Sequence, residues 1–142
     1  MNRIRVLLAD DHRAFRESLA ALLELDFEVL GTVSNGAEML AEAQRLQPDV
    51  VVTDISMPVL DGIEAAMQLR ASKAEAQVVF LTVHDGPEFV RACLATGALG
   101  YVVKRRLTTD LIFAIHEVLA GRRFISPALR FQDEHPQKEG SV

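Results

Sequence analysis

The chain has 142 residues, of which 49% are hydrophobic and 25% are charged, as expected for one globular domain with a substantial core. Its 20 acidic and 15 basic residues give a formal net charge of −5, so we expect no direct nucleic-acid binding, which usually requires a basic patch. The single cysteine cannot form an internal disulfide, and no signal peptide or membrane-spanning segment is evident. The sequence therefore predicts a cytoplasmic protein.

Apolar runs and helical periodicities alternate along the chain. Because they are short, apolar and rich in β-branched residues, five segments are predicted to be strands: 4–8, 27–33, 50–52, 77–82 and 100–103. Five segments with apolar residues at helical spacing are predicted to be helices: 13–25, 37–46, 63–71, 87–96 and 107–120. This alternation predicts an α/β fold with helices on both faces of a parallel sheet. A flavodoxin-like five-stranded sheet of order 2-1-3-4-5 is the natural choice, although the sequence leaves the order open.

Candidate site residues lie at the carboxyl ends of four of the five predicted strands. Asp10 and Asp11 come directly after the first strand, and Asp54 follows the third. In the order 2-1-3-4-5 these two strands are neighbours, so the three carboxylates converge where open α/β sheets bind ligands. Thr82 and Lys104 arrive beside them from the fourth and fifth strands. Taken alone, Asp54 has a second interpretation, in which it is a loop residue that caps the next turn.

Three carboxylates in one pocket repel one another. The repulsion energy of each pair at 4 Å is roughly 1 kcal/mol in water and about 4 kcal/mol near a protein surface. An all-oxygen set of this kind suits Mg²⁺, which keeps several waters and also binds phosphate oxygens. A carboxylate can attack phosphorus to give an acyl phosphate, a transfer that requires mainly positioning and charge neutralisation. We therefore predict Asp54 as the nucleophile and Asp10 and Asp11 as metal ligands. Lys104 supplies a further positive charge, and Thr82 a hydrogen bond to a phosphoryl oxygen.

These residues, taken in order, resemble the receiver domain of two-component response regulators over about residues 4–124. The motifs are an Asp-Asp pair after strand one, an acceptor aspartate followed by MPxxDG, a threonine after strand four and a lysine after strand five. The resemblance implies that Asp54 accepts a phosphoryl group from a sensor histidine kinase. It also implies that the backbone carbonyl of Ser56 is a metal ligand, alongside Asp10, Asp11 and Asp54.

The resemblance also implies a conformational switch. Tyr101, three residues before Lys104, matches the aromatic switch position. Phosphorylation is expected to favour a conformation in which Thr82 moves toward the phosphoryl group and Tyr101 turns inward. The surface that changes would be helix four, strand five and helix five, about 87–120. The alternative for Tyr101 is an ordinary half-exposed strand aromatic.

The segments LTVHDGPEFV, GYVVK and GRRFISPAL resemble the subfamily that joins a receiver to a LuxR-type helix-turn-helix domain. We divide the chain into a receiver domain, 1–125, and a polar C-terminal tail or truncated linker, 126–142, and expect a stand-alone receiver. Self-catalysed phosphoryl transfer and hydrolysis are expected rather than the activity of a dedicated enzyme. A homodimer through helices four and five is implied by the resemblance alone, and the downstream effector is not predicted.

Three other functions are each compatible with part of the sequence. A constitutive interaction domain with a vestigial pocket is suggested by Arg105 and Arg106 beside the pocket, and by the segment after Pro127, in which we expect no helix-turn-helix output domain because it is too short. A flavin-binding electron carrier shares the fold class, but acidic residues follow strand one where a flavin phosphate requires hydroxyls, glycine and backbone amides. A phosphatase acting on other molecules lacks a second general acid. Ser56 and His84 are placed to influence water access, and His12 is interpreted as an ordinary surface residue.

Overall fold

The computed structural model describes residues 3–127, which form a six-stranded parallel sheet between two layers of helices. The strands are β1 (Arg5–Ala9), β2 (Glu28–Val33), β3 (Val50–Thr53), β4 (Gln77–Thr82), β5 (Gly100–Val103) and β6 (Phe124–Ile125). Their order is β2-β1-β3-β4-β5-β6, and every pairing is parallel. The predicted flavodoxin-like class and the order 2-1-3-4-5 are therefore confirmed, with one further strand at the edge.

All five predicted helices are present. They are α1 (Arg13–Leu23), α2 (Gly36–Leu46), α3 (Gly62–Ala71), α4 (Pro87–Ala95) and α5 (Leu107–Leu119). The helix α1 ends two residues earlier than predicted, because Leu25 is 76% exposed while Phe27 is fully buried and its N–H donates to the carbonyl of Leu23. No helix within residues 3–127 is both long enough and apolar enough to cross a membrane.

The valine run of β3 divides the core into two halves. Val51 faces the layer formed by α2, α3 and α4, whereas Val50 and Val52 face the layer formed by α1 and α5. All three side chains are fully buried. A central parallel strand is covered on both faces, so it carries a continuous apolar run rather than an alternating pattern. The two helical layers thus fix the strand that carries Asp54 at its carboxyl end.

The edge strand β6 was not predicted. It pairs with β5, with Phe124 opposite Gly100 and Ile125 opposite Tyr101. Two residues are too few to show a strand periodicity in the sequence. Their extended conformation is recognised only from their pairing with β5. The prediction of five strands is therefore corrected to six.

Ser126, which follows β6, is buried in the domain although the predicted tail begins at this residue. Its hydroxyl donates to Asp110 of α5 at 2.8 Å and accepts from the N–H of Val103 at 3.2 Å. Asp110 also accepts from Arg106 at 2.9 Å. Arg106 therefore serves this buried network rather than the acidic pocket. The prediction of a polar tail concerns mainly 128–142, which lie outside the described residues.

Candidate functional site

The acidic pocket forms at the carboxyl ends of β1 and β3. These strands are neighbours, with Ala9 opposite Thr53, so the residues that follow them are brought together. The N–H of Asp54 donates to the carbonyl of Ala9 at 3.1 Å, which extends the pairing one step past the strand end. Asp10 is 2% exposed and Asp54 is 6% exposed. Two largely buried carboxylates require positive charge nearby.

Lys104 supplies that charge from the end of β5. Its Nζ atom donates to Oδ2 of Asp10 at 2.8 Å and to Oδ2 of Asp54 at 3.0 Å. Burial alone would lower the pKa of Lys104, but the hydrogen bonds to Asp10 and Asp54 and their negative charges raise it above its usual value. The side chain is therefore a fixed cation that bridges the two carboxylates.

Asp11 and His12 extend the acidic pocket toward solvent. Nδ1 of His12 lies 3.2 Å from Asp11 and 3.5 Å from Asp10. One ligand atom from each of these three residues lies within 4.8 Å of the others, close enough to hold a metal ion together. His12 was interpreted from the sequence as an ordinary surface residue, and its 74% exposed side chain places it at the rim of the pocket.

The loop after β3 fixes the carboxylate of Asp54. Its Oδ1 atom accepts from the N–H of Ile55 at 2.6 Å, and the N–H of Gly62 donates to the carbonyl of Ile55 at 2.7 Å. A Cβ atom on Gly62 would lie 1.9 Å from the carbonyl oxygen of Asp54, so only glycine allows this approach. The Gly62 of the MPxxDG motif is thus required by packing at the start of α3.

His84 connects the remaining predicted residues. Its N–H donates to the hydroxyl of Thr82 at 3.2 Å, and its carbonyl accepts from the hydroxyl of Tyr101 at 2.8 Å. Its Nε2 atom lies 3.0 Å from Oγ of Ser56. The imidazole stacks on the ring of Phe89 in α4, with ring centres 4.1 Å apart. One residue therefore joins the β3–α3 loop, β4, β5 and α4.

Tyr101 is fully buried, so the alternative of a half-exposed strand aromatic is wrong. Burial raises the pKa of its phenol well above the usual value, and the nearby thiol of Cys93 and carboxylates add to the shift. The hydroxyl is a neutral donor to the His84 carbonyl. Thr82 is also fully buried at the end of β4.

Two contributors to the pocket were not identified from the sequence. The ring of Phe15, which the helical pattern assigned to packing, lies with its centre 4.3 Å from Nζ of Lys104. Arg16 donates from Nη1 to the backbone carbonyl of Asp10 at 2.7 Å. Both residues lie on α1, about one helical turn after the Asp-Asp pair. This distance from the pair is the only signal in the sequence that they lie near the pocket. The pattern of α1 alone does not distinguish them from core and surface residues.

The structure thus brings Asp10, Asp54 and Lys104 into direct contact and places Asp11 beside them. Ser56, Thr82 and Tyr101 are connected through His84. The arrangement combines a buried carboxylate, a fixed ammonium and further carboxylate oxygens at the end of a parallel sheet. The carboxylate oxygens suit the binding of a cation, and the ammonium suits the binding of a negatively charged phosphoryl group.

Comparison with known proteins gives a consistent result. The family model described as "Response regulator receiver domain" matches residues 6–116. The response regulator GacA of Pseudomonas viridiflava is 38% identical over 131 residues, which are 91% of this chain and 61% of GacA. The transcriptional regulatory protein DegU of Brevibacillus brevis is 34% identical over 128 residues, 89% of this chain and 54% of DegU. The chain therefore spans between about half and three fifths of the length of these relatives.

Solved structures agree with the sequence relatives. A two-component response regulator of the LuxR family from Aurantimonas sp. SI85-9A1 superposes with a TM-score of 0.90 at 31% identity, covering 96% of this chain and 99% of that chain. The isolated REC domain of RcsB from Salmonella enterica serovar Typhimurium, solved in the presence of phosphomimetic BeF3−, gives a TM-score of 0.81 at 25% identity. That match covers 91% of this chain and 97% of that chain. With the family match and the acidic pocket, these similarities show that the chain belongs to the family of response regulator receiver domains, a class of signalling domain.

Proposed function

We propose that this chain is the phosphoacceptor of a two-component pathway and that Asp54 accepts a phosphoryl group from a sensor histidine kinase. The observation that carries the proposal is the contact of one ammonium, Nζ of Lys104, with carboxylate oxygens of both Asp10 and Asp54. A carboxylate nucleophile held beside a fixed positive charge suits phosphoryl transfer, in which positioning and charge neutralisation supply most of the catalysis.

The donor set of the pocket fits a hard divalent cation. Asp10, Asp11 and Asp54 offer carboxylate oxygens, and the carbonyl of Ser56 would complete the protein ligands, as the family resemblance implies. Magnesium, when bound there, supplies positive charge to the carboxylates and to the phosphoryl oxygens. Because Lys104 contacts oxygens of Asp10 and Asp54, its ammonium competes with a cation for them.

In the proposed step, a carboxylate oxygen of Asp54 attacks the phosphorus of a phosphohistidine on the kinase. The new O–P bond forms as the N–P bond breaks, and the released imidazole takes a proton from solvent. Lys104 neutralises one phosphoryl oxygen, and the hydroxyl of Thr82 donates to another. Water later cleaves the acyl phosphate and restores the carboxylate, so the domain ends its own signal.

We propose that this modification is transmitted to the surface formed by α4, β5 and α5. The support is the position of His84, whose N–H contacts Thr82 and whose carbonyl contacts Tyr101. A movement of Thr82 toward the phosphoryl group would disturb both hydrogen bonds, and the stacked ring of Phe89 would carry the change to α4. The phosphoryl group then shifts the population of two arrangements of this surface.

The second candidate is a constitutive interaction domain with a vestigial pocket. One observation favours it: Tyr101 lies fully inside the domain, with its hydroxyl hydrogen-bonded. If this inward position is permanent, the surface formed by α4, β5 and α5 does not depend on Asp54. A cytoplasmic location and a homodimer stay predictions under either candidate.

Intact-mass spectrometry after incubation with acetyl phosphate and Mg²⁺ tests the acceptor role. We expect the wild-type chain to gain one phosphoryl group and Asp54→Asn to gain none. Asp26→Asn, which changes an exposed aspartate outside the pocket, is the matched control and should react like the wild type. No gain in the wild type, or an undiminished gain in Asp54→Asn, contradicts the proposal.

Backbone NMR with Mg²⁺ and beryllofluoride, a phosphoryl analogue, separates the two candidates. The switching domain predicts changes in the amide signals of α4, β5 and α5, with the largest around His84 and Tyr101. Signals that change only in the loops around Asp54 would favour the constitutive domain. Asp54→Asn should show neither set of changes.

A further inference from the structure

The ammonium of Lys104 has a third neighbour that is not acidic. Its Nζ atom lies 4.3 Å from the centre of the Phe15 ring, which belongs to the first turn of α1. At this distance an ammonium is attracted to the negative face of an aromatic ring. The side chain of Lys104 is only 14% exposed, so water competes little for the charge.

The ring of Phe15 is held by its own packing. It lines an apolar groove between α1 and α5 with Ser18, Leu19, Leu22 and Leu107. It also packs against the core on the face of the sheet covered by these two helices. The ring therefore has a fixed position from which it can act on the lysine.

Phe15 differs from the other two partners of Lys104 because it carries no charge. Asp10 and Asp54 hold the ammonium in the structure, but both are also proposed ligands of a cation. When the oxygens of Asp10 and Asp54 bind a cation, their electrostatic attraction for the ammonium of Lys104 becomes weaker. The ring has no such alternative partner and adds no repulsion to the three carboxylates.

We propose that Phe15 is a positioning residue that keeps the ammonium of Lys104 at the acceptor pocket while Asp10 and Asp54 change partners. This inference rests on the proposed phosphoacceptor function and adds a determinant of how tightly the pocket holds a phosphoryl group. An aliphatic residue at position 15 would fill the groove, but it would present no ring face to the ammonium. The π face, rather than apolar volume, is the property that matters.

A titration with beryllofluoride at saturating Mg²⁺ tests this role in Phe15→Leu and Phe15→Tyr. We expect the concentration for half-saturation to rise about 3- to 30-fold in Phe15→Leu, the range that a partly desolvated cation–π contact implies. Phe15→Tyr keeps the ring face and should stay within about twofold of the wild type. Equal half-saturation in Phe15→Leu and the wild type overturns the proposal.

A second readout requires no bound ligand. The chain contains three lysines, so ¹³C labelling of the lysine ε-carbons gives a simple NMR spectrum. The ε-methylene protons of Lys104 should be shifted upfield by the ring, with exposed Lys73 as the internal reference. Phe15→Tyr should keep the shift and Phe15→Leu should lose it. An unshifted Lys104 signal in the wild type contradicts the contact itself.

Leu22→Ala provides the control for packing, because Leu22 lines the same groove. We expect it to lower the thermal midpoint while leaving both the beryllofluoride affinity and the Lys104 signal unchanged. If Leu22→Ala reproduces the weakened affinity, Phe15 acts through packing and the proposal fails. A wild-type chain that shows the Lys104 shift but binds no beryllofluoride contradicts the proposed function rather than the contact.

Discussion

Val59, in the loop between Asp54 and α3, has a backbone conformation that β-branched residues rarely adopt. Its φ is 70°, and its side chain is 82% exposed. A left-handed conformation costs roughly 1–2 kcal/mol for a residue that carries a Cβ, and an exposed side chain recovers little of this by burial. Such strain concentrates near functional sites, where the surrounding structure imposes it. Here the surroundings are the tight turn that leads from the acceptor to α3.

We expect Val59→Gly to raise the free energy of unfolding in urea by about 0.5–1 kcal/mol. Glycine adopts positive φ without strain, and its greater freedom in the unfolded chain offsets only part of that gain. Val83→Gly is the matched control, since Val83 is 68% exposed and is not among the non-glycine residues with positive φ within 3–127. It should lower the free energy of unfolding. A Val59→Gly protein less stable than the wild type would refute the strain.

The residues of the site differ in how far the sequence could predict them. Asp10, Asp54 and Lys104 were predicted to converge because each directly follows a strand, and strand ends meet once the order is known. Their direct contact agrees with that reasoning. Phe15 could not be predicted, since the pattern of α1 alone does not show which of its side chains reaches Lys104, the residue that follows β5. The same is true of the link between His84 and Ser56, which joins two loops.

At the scale of elements, the helix α3 begins directly against the acceptor. Asp61 accepts from the N–H of Glu64 at 2.8 Å and so caps the helix, while Gly62 approaches the backbone of Asp54. The start of α3 and the end of β3 are therefore locked together. A change at this junction should affect both the stability of the fold and the placement of the carboxylate.

We expect Gly62→Ala to lower the free energy of unfolding by about 3 kcal/mol or more, because the new Cβ meets backbone that cannot rotate away. Gly31→Ala is the matched control: in β2, its Cβ would find its nearest atoms at 4.0 Å. That variant should be neutral or slightly more stable, since glycine weakens a strand. Urea denaturation measures both, and amide signals around Asp54 should shift only in Gly62→Ala. Equal stability of the two variants would contradict the close approach.

The helices and central strands were predictable because their buried positions are occupied by apolar residues at a regular spacing. The run Val50–Thr53 is buried on both faces, and the amphipathic α1 shows helical spacing up to Leu23. The strand β6 shows no such pattern, since its two residues are ordered by β5 and by the bonds of Ser126. The predicted end of α1 failed for a related reason: Leu25 is apolar but faces solvent.

At the scale of the whole molecule, the pocket is assembled from distant parts of the chain. Lys104 contacts Asp10 across 94 residues and Asp54 across 50 residues. These groups are far apart in an unfolded chain, so a cation that binds them together binds the folded state selectively. Binding and global stability are therefore linked, and a ligand at 100 times its Kd stabilises the fold by about 2.7 kcal/mol.

Magnesium is therefore expected to raise the thermal midpoint of the wild-type chain, measured against sodium chloride of equal ionic strength. Asp10→Asn should lose most of this increment, because it removes a carboxylate ligand, whereas Glu42→Gln, on α2 outside the pocket, should keep it. Lys104→Met should be less stable than the wild type without magnesium, since Asp10 and Asp54 lose their counter-charge. Its increment with magnesium should be larger, because no ammonium competes for the carboxylate oxygens. An increment in Lys104→Met no larger than that of the wild type would show that ammonium and cation do not compete. The same increment in Asp10→Asn as in the wild type would place the cation elsewhere.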